Sequence, residues 1–243
     1  MTLLRSIVFF IGMCVSIVLY WPITMLAWPL LPLTRSRILG GWAVFTLWWL
    51  KVTCNLRHRV SGLENLPDRP AVLLCKHESA WETISTQAIF PPQAWVLKRE
   101  LLWIPFFGWS LAASNPIAIN RSARVRALDQ LIREGRDRLR EGRWVVVFPE
   151  GTRTAPGEMG EFSPGGAMLA VKSGAPVVPV AHNAGTFWRR RGILKHAGVI
   201  DVRVGPVIET AGRKPRDVNN AAHAWIAQAV ADMAANRDEQ APH

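Results

Sequence analysis

The chain has 243 residues, enough for one domain with a substantial core and a short appendage. Hydrophobic residues make up 49% of it, which excludes a disordered chain. A formal net charge of +11 calls for an anionic partner, and since no nucleic-acid recognition motif is present, an anionic membrane or a phosphorylated small molecule is expected, and no nucleic acid.

The first predicted element is apolar. Residues 6–34 contain no charged side chain, and a hydrocarbon core needs roughly 20 residues to cross. Pro22, Pro29 and Pro32 interrupt the run, so one straight helix through all of it is not expected. Arg35 and Arg37 follow, then a second apolar stretch at Ile38–Leu50 that ends at Lys51 and is short for a full span. Two arrangements fit: a spanning helix near Ile7–Trp28, or a helical hairpin dipping into one leaflet. The run lacks a small-residue cleavage site and so does not read as a signal peptide. Trp21, Trp28, Trp42, Trp48 and Trp49 fall here, as suits a membrane–water interface. Positive charge after the run (Arg35, Arg37, Lys51, Arg57, Arg59) exceeds that before it. The expected location is therefore the inner membrane, with the following domain in the cytoplasm. The expected division is a membrane segment over 1–55 and a main domain over 56–243.

From about residue 56 the pattern becomes alternating strands and helices. Ala71–Cys75, Ala94–Leu97, Pro116–Ile119, Trp144–Phe148, Val177–Ala181 and Val199–Val204 read as short strands. Ser122–Glu141 reads as an amphipathic helix with Val125, Leu128, Leu131, Ile132 and Leu139 on one stripe, ended by Gly142. A last helix is expected near Val218–Ala235, followed by a frayed polar tail after Asn236. The expected fold class is α/β: a mostly parallel central sheet flanked by helices, with an N-terminal membrane-embedded helical segment. Cys14, Cys54 and Cys75 have no CxxC spacing and read as small buried thiols.

Chemistry-bearing residues gather after the strands. His77 follows the first of these strands and Glu82 stands five residues on. On one continuous helix that step turns about 140°, so the side chains would diverge. They can meet only if His77 lies in a loop and Glu82 in the next helix. The carboxylate would then hold one ring nitrogen and leave the other as a base. Lys98 and Arg121 each follow a strand, and Glu150-Gly151-Thr152-Arg153 follow WVVVF. Parallel strands end on one edge of a sheet, so one histidine and several cations there describe a pocket for a phosphorylated, hydroxyl-bearing substrate. No GxxxxGK and no GxSxG is present, which argues against a nucleotide P-loop and a serine lipid hydrolase.

The order HxxxxE, NR, FPEGTR, VVPVA, with GLENLP at 62–67 and KREL at 98–101, resembles the glycerophosphate and lysophosphatidic acid acyltransferase family, in particular its bacterial 1-acylglycerol-3-phosphate branch. The resemblance covers roughly residues 60–210 and implies an enzyme. His77 would be the general base on the acceptor hydroxyl and Glu82 its orienting partner. Lys98, Arg121, Glu150, Gly151, Thr152 and Arg153 would bind the phosphorylated acceptor, and Val177–Ala181 would help shape the acyl-donor region. The implied acceptor is lysophosphatidic acid, the product phosphatidic acid, and the donor acyl-CoA or acyl-ACP. The resemblance implies no cofactor and no metal. Another lyso-lipid acceptor, such as a lyso-ornithine lipid or another lysophospholipid, is the alternative, and a non-catalytic membrane lipid-binding protein a more remote one. The family usually carries Asp where this chain has Glu82. Glutamate is one methylene longer, so the same bond needs a small shift of helix or ring.

Overall fold

A computed structural model describes residues 1–239, with the side chains of Arg121, Arg124 and residues 236–239 outside the description. The N-terminal segment is a helical hairpin: α1 spans Thr2–Leu26 and α2 spans Pro32–Cys54. Pro32 opens α2, where a missing N–H costs nothing, and so starts the second helix rather than breaking the first. Arg35, Arg37 and Lys51 lie inside α2, which is longer than the apolar stretch predicted there. Among the described residues only α1 is long and apolar enough to cross a membrane by length and composition.

The hairpin is stapled by polar groups of its aromatic side chains. Tyr20 Oη donates to the Ile38 carbonyl at 2.5 Å, Trp42 Nε1 to Ser16 Oγ at 3.1 Å, and Trp49 Nε1 to the Phe9 carbonyl at 3.3 Å. Gly12 permits the last contact, because a Cβ there would lie 2.2 Å from Trp49 Nε1. One side of the hairpin exposes Phe10, Ile11, Val15 and Leu19 of α1 and Val44, Phe45 and Trp48 of α2. Its other side is part of the protein core. Phe9, Ala43, Leu47 and Leu50 share one apolar cluster with Trp81, Val146 and Val178. Thr24 Oγ1 also donates to Ser110 Oγ at 3.0 Å, and Phe9 packs edge-on against Trp188.

The remaining chain forms a seven-stranded sheet in the order β1-β7-β6-β2-β5-β3-β4. The strands are β1 (Leu56–Ser61), β2 (Val72–Cys75), β3 (Gln93–Lys98), β4 (Ile117–Ile119), β5 (Trp144–Val147), β6 (Val177–His182) and β7 (Gly198–Val204). Strands β2 to β6 run parallel. β7 lies antiparallel to β6, and β1 pairs parallel with β7, so these two run against the rest. The helices are α3 (Trp81–Ile89), α4 (Phe107–Ala113), α5 (Arg124–Arg140), α6 (Gly165–Ser173), α7 (Ala184–Phe187) and α8 (Pro215–Glu239). α8 continues past Asn236, where fraying was expected, and residues 240–243 lie outside the description.

Side-chain alternation along the strands sorts the core into two faces. Trp144 and Val146 point to the face covered by the hairpin and α3. Val145 and Val147 point to the face covered by α5 and α6, and Val218 of α8 joins that second cluster. Each fully buried Val or Leu of these strands stabilises the fold by about 1.5–3 kcal/mol. Gly142, at φ 81°, terminates α5 as its sequence position predicts. Cys54 and Cys75 are buried, but Cys14 is exposed on α1, contrary to the sequence reading: it borders an open cavity instead of packing into the core.

Candidate active site

Strand β2 ends at Cys75 in the middle of the sheet, and residues 76–80 form a tight connection to α3. Ser79-Ala80-Trp81-Glu82 has the Ser-x-x-Glu spacing of a helix-starting capping box. Glu82 reaches back from the first turn, and its Oε1 accepts the N–H groups of Ser79 at 2.7 Å and Glu78 at 3.0 Å. Ser79 Oγ in turn accepts the Trp81 N–H at 3.1 Å. The same Glu82 oxygen lies 2.8 Å from His77 Nδ1. His77 therefore sits in the loop and Glu82 in the helix, the junction that the five-residue step requires.

A carboxylate only accepts, so His77 Nδ1 carries the proton in this contact and the lone pair of the neutral ring lies on Nε2. The imidazole stacks on Phe148 with ring centroids 4.4 Å apart and remains slightly exposed. Glu82 is wholly buried. Burial alone would raise its pKa, but the nearby His182, the His77 contact and the Ser79 N–H outweigh it and hold the carboxylate below its ordinary value. Its second oxygen, Oε2, has no hydrogen-bond partner among the described residues and lies 3.9 Å from His182 Nε2. The hydrogen bonds of His182 go to backbone: Nδ1 accepts the Ala184 N–H at 3.2 Å, and Nε2 contacts the Lys76 carbonyl at 2.9 Å. It packs behind Glu82 and is buried.

The loop that carries His77 is held from below by Glu150. Glu150 Oε2 accepts the His77 N–H at 2.8 Å, and Oε1 accepts from Lys76 Nζ at 2.8 Å and the Gly160 N–H at 2.9 Å. Lys76 also bonds Thr154 Oγ1, and the Thr154 N–H donates to the His77 carbonyl at 2.9 Å. Lys76 and Glu150 side chains are both fully buried. Glu150, expected to touch the acceptor, therefore faces protein groups and joins the two motifs. Lys76 was not singled out in the sequence; its signal is a lone cation directly after an apolar strand. Glu78, beside them, is pushed up by burial although His182 and Lys76 pull it down. Cys75 is likewise driven well up by burial and by neighbouring carboxylates, which keeps it a thiol.

The other expected site residues divide. Arg153 and Lys98 line, with His77, a cavity of about 370 Å³ on the hairpin side of the sheet. Its remaining walls are mainly apolar and include Ile17 of α1, Trp42 of α2, Ile84, Phe107 and Leu111. Arg153 Nε is buried without a hydrogen-bond partner among the described residues. Its carbonyl accepts Arg190 Nη1 at 2.8 Å. Lys98 is half exposed and 3.7 Å from Glu100. Gly151, at φ 66°, makes the turn after Glu150 and lines a cavity on the other face. Thr152 is exposed. The Arg121 side chain lies outside the described residues, although its backbone directly follows β4 at the same sheet edge.

An acyltransferase family profile matches residues 57–183. The chain is 42% identical to a 1-acyl-sn-glycerol-3-phosphate acyltransferase of Pseudomonas aeruginosa over 95% of its own length and 91% of that protein's. It is 33% identical to a protein of the same description from Saccharomyces cerevisiae, over 66% of this chain and 54% of that one. Its fold is like that of the crystal structure of the 1-acyl-sn-glycerophosphate (LPA) acyltransferase from Thermotoga maritima, with a TM-score of 0.82 over 96% of both chains at 23% identity.

Proposed function

The chain belongs to the acyltransferase family, and on that premise we propose that it acylates the free sn-2 hydroxyl of 1-acylglycerol 3-phosphate, giving phosphatidic acid. The donor is an acyl thioester, on coenzyme A or on acyl carrier protein. The observation that carries the reading is the His77–Glu82 pair at 2.8 Å, opening on an apolar cavity that also holds two cations. The names of the relatives support the same acceptor.

The chemistry follows from the atoms present. The acceptor hydroxyl gives its proton to His77 Nε2 as its oxygen attacks the thioester carbonyl. Glu82 stabilises the imidazolium that forms, and no covalent enzyme intermediate is needed. When the tetrahedral intermediate collapses, the C–S bond breaks and the leaving sulfur takes the proton from His77. Arg153 and Lys98 attract the acceptor phosphate, with the guanidinium suited to a forked contact. The apolar walls take hydrocarbon. The hairpin holds the cavity at the bilayer surface, at the inner membrane with the α/β body in the cytoplasm.

The test is acyl transfer by purified protein in mixed micelles, with a panel of lyso-lipid acceptors and both thioester donors. The reading predicts turnover of lysophosphatidic acid with at least one donor. Transfer only to some other lyso-lipid, or none at all, would refute it.

A further inference from the structure

A reaction of this kind brings two hydrocarbon chains to one centre: the chain being transferred and the chain the acceptor already carries. They meet the centre at different atoms. One hangs from the thioester carbonyl and the other from the glycerol beside the reacting hydroxyl.

Among the described residues, two apolar spaces lie beside Phe148. The cavity at His77 lies on the hairpin face of the sheet and carries Lys98 and Arg153. A second cavity, of about 480 Å³, lies on the opposite face beneath α5 and the start of α6. Ile119, Ala127, Leu128, Leu131 and Val147 form most of its walls, and among the described residues no charged side chain lines it. Both open at the carboxyl edge of the parallel strands, and Val96 and Phe148 line both. Phe148 is the ring on which His77 stacks. A hydroxyl delivered to His77 therefore has one apolar space on each side of Phe148. The first also carries the cations suited to a phosphate; the described walls of the second are mainly apolar, with Ser163 and Gly151 at its rim.

We propose that the second cavity binds the acyl chain already present on the lysophospholipid acceptor, while the cavity at His77 takes the donor's chain. This rests on the acyl-transfer reading above. Each methylene buried there adds about 0.8 kcal/mol to binding, so the cavity makes the acceptor's chain length a determinant of its affinity.

The test compares palmitoyl and hexanoyl lysophosphatidic acid as acceptors, and palmitoyl and hexanoyl thioesters as donors, in mixed micelles. Leu128→Trp fills the second cavity from a half-buried position on α5. It should raise the KM of the palmitoyl acceptor at least about tenfold, the worth of two buried methylenes. It should leave the hexanoyl acceptor and the donor chain preference near wild type. Leu101→Trp, at the wall of the first cavity, should shift donor preference toward hexanoyl and leave acceptor preference alone. If the bulky Leu128 variant fails to fold, Leu128→Glu places a charge in the cavity without bulk and should select against the palmitoyl acceptor in the same way. An unchanged palmitoyl-acceptor KM in the folded Leu128 variant means that this chain stays in the bilayer, and overturns the inference. A changed donor preference in that variant overturns it too. If the wild type acylates no lysophosphatidic acid, it is the proposed function that fails instead.

Discussion

Replacing Glu82 by Gln separates charge from shape at the centre of the site. The amide oxygen can still accept from His77, Glu78 and Ser79, the three donors that now converge on Oε1, so the loop and the start of α3 keep their hydrogen bonds. What is lost is the anion beside the imidazolium that the proposed mechanism forms as the acceptor is deprotonated. Opposite charges about 4 Å apart at an effective dielectric near 20 interact by about 4 kcal/mol. Each 1.4 kcal/mol is a factor of ten in rate, so kcat should fall by up to about a thousandfold, while melting temperature falls only by the carboxylate's own stabilising contribution. Glu82→Asp keeps the charge but withdraws it by about one bond length, and misplacement by an ångström costs up to about a hundredfold. The Asp variant should therefore fall between wild type and Gln. Steady-state acyl transfer at saturating acceptor, alongside a thermal melt, reads both quantities. A Gln variant within tenfold of wild type, or one faster than Asp, would refute the electrostatic role.

Glu150→Ala should be the most damaging substitution to the fold among the site residues, because it strands buried Lys76 without its 2.8 Å partner, at a cost of about 3–5 kcal/mol. A large drop in melting temperature is the expected result, and in any folded fraction kcat should fall more than acceptor KM rises. Arg153→Ala should instead raise acceptor KM about ten- to a hundredfold, with donor KM unchanged, as measured by varying each substrate in turn. The folded-state pKa of Glu82 lies below its ordinary 4.5, so its stabilising contribution is present above that value and is lost as pH falls through the lower one. Urea midpoints should therefore decline on acidification below about 4.5, and less steeply in Glu82→Gln.

The strands that build the site edge were legible because each is a short β-branched or apolar run with turn residues at its ends. WVVV of β5 is buried on both faces, and a two-sided core leaves an unmistakable hydrophobic block. β1 was not legible: LRHRVS lies at the sheet margin with most of its side chains exposed, so its sequence carries no core pattern. α6 opens on Gly165-Gly166, which reads as a loop; the glycines are there because a Cβ on Gly166 would lie 2.5 Å from Leu74. The reversal of β7 depends on pairing with distant β6 and leaves no local mark. At the site, the helical step between His77 and Glu82 predicted their junction. The inward turn of Glu150 was hidden, because a carboxylate beside Gly and Arg reads equally well as a ligand contact. Its true partners, Lys76 and the His77 N–H, lie more than seventy residues away in sequence.

Asn55 alone joins α2 to β1, held in the left-handed region at φ 49° with its N–H on the Lys51 carbonyl. The hairpin and the sheet thus share a core and have a one-residue connection with no slack. Such an anchor does not tether; it sets height and tilt. On the proposed function, a protein seated this way in a bilayer encounters its lipid by lateral diffusion in a plane rather than by collision in bulk solution. Its velocity should then follow the mole fraction of acceptor in the surface, and diluting that surface with inert detergent should slow it even when the total acceptor concentration is held constant.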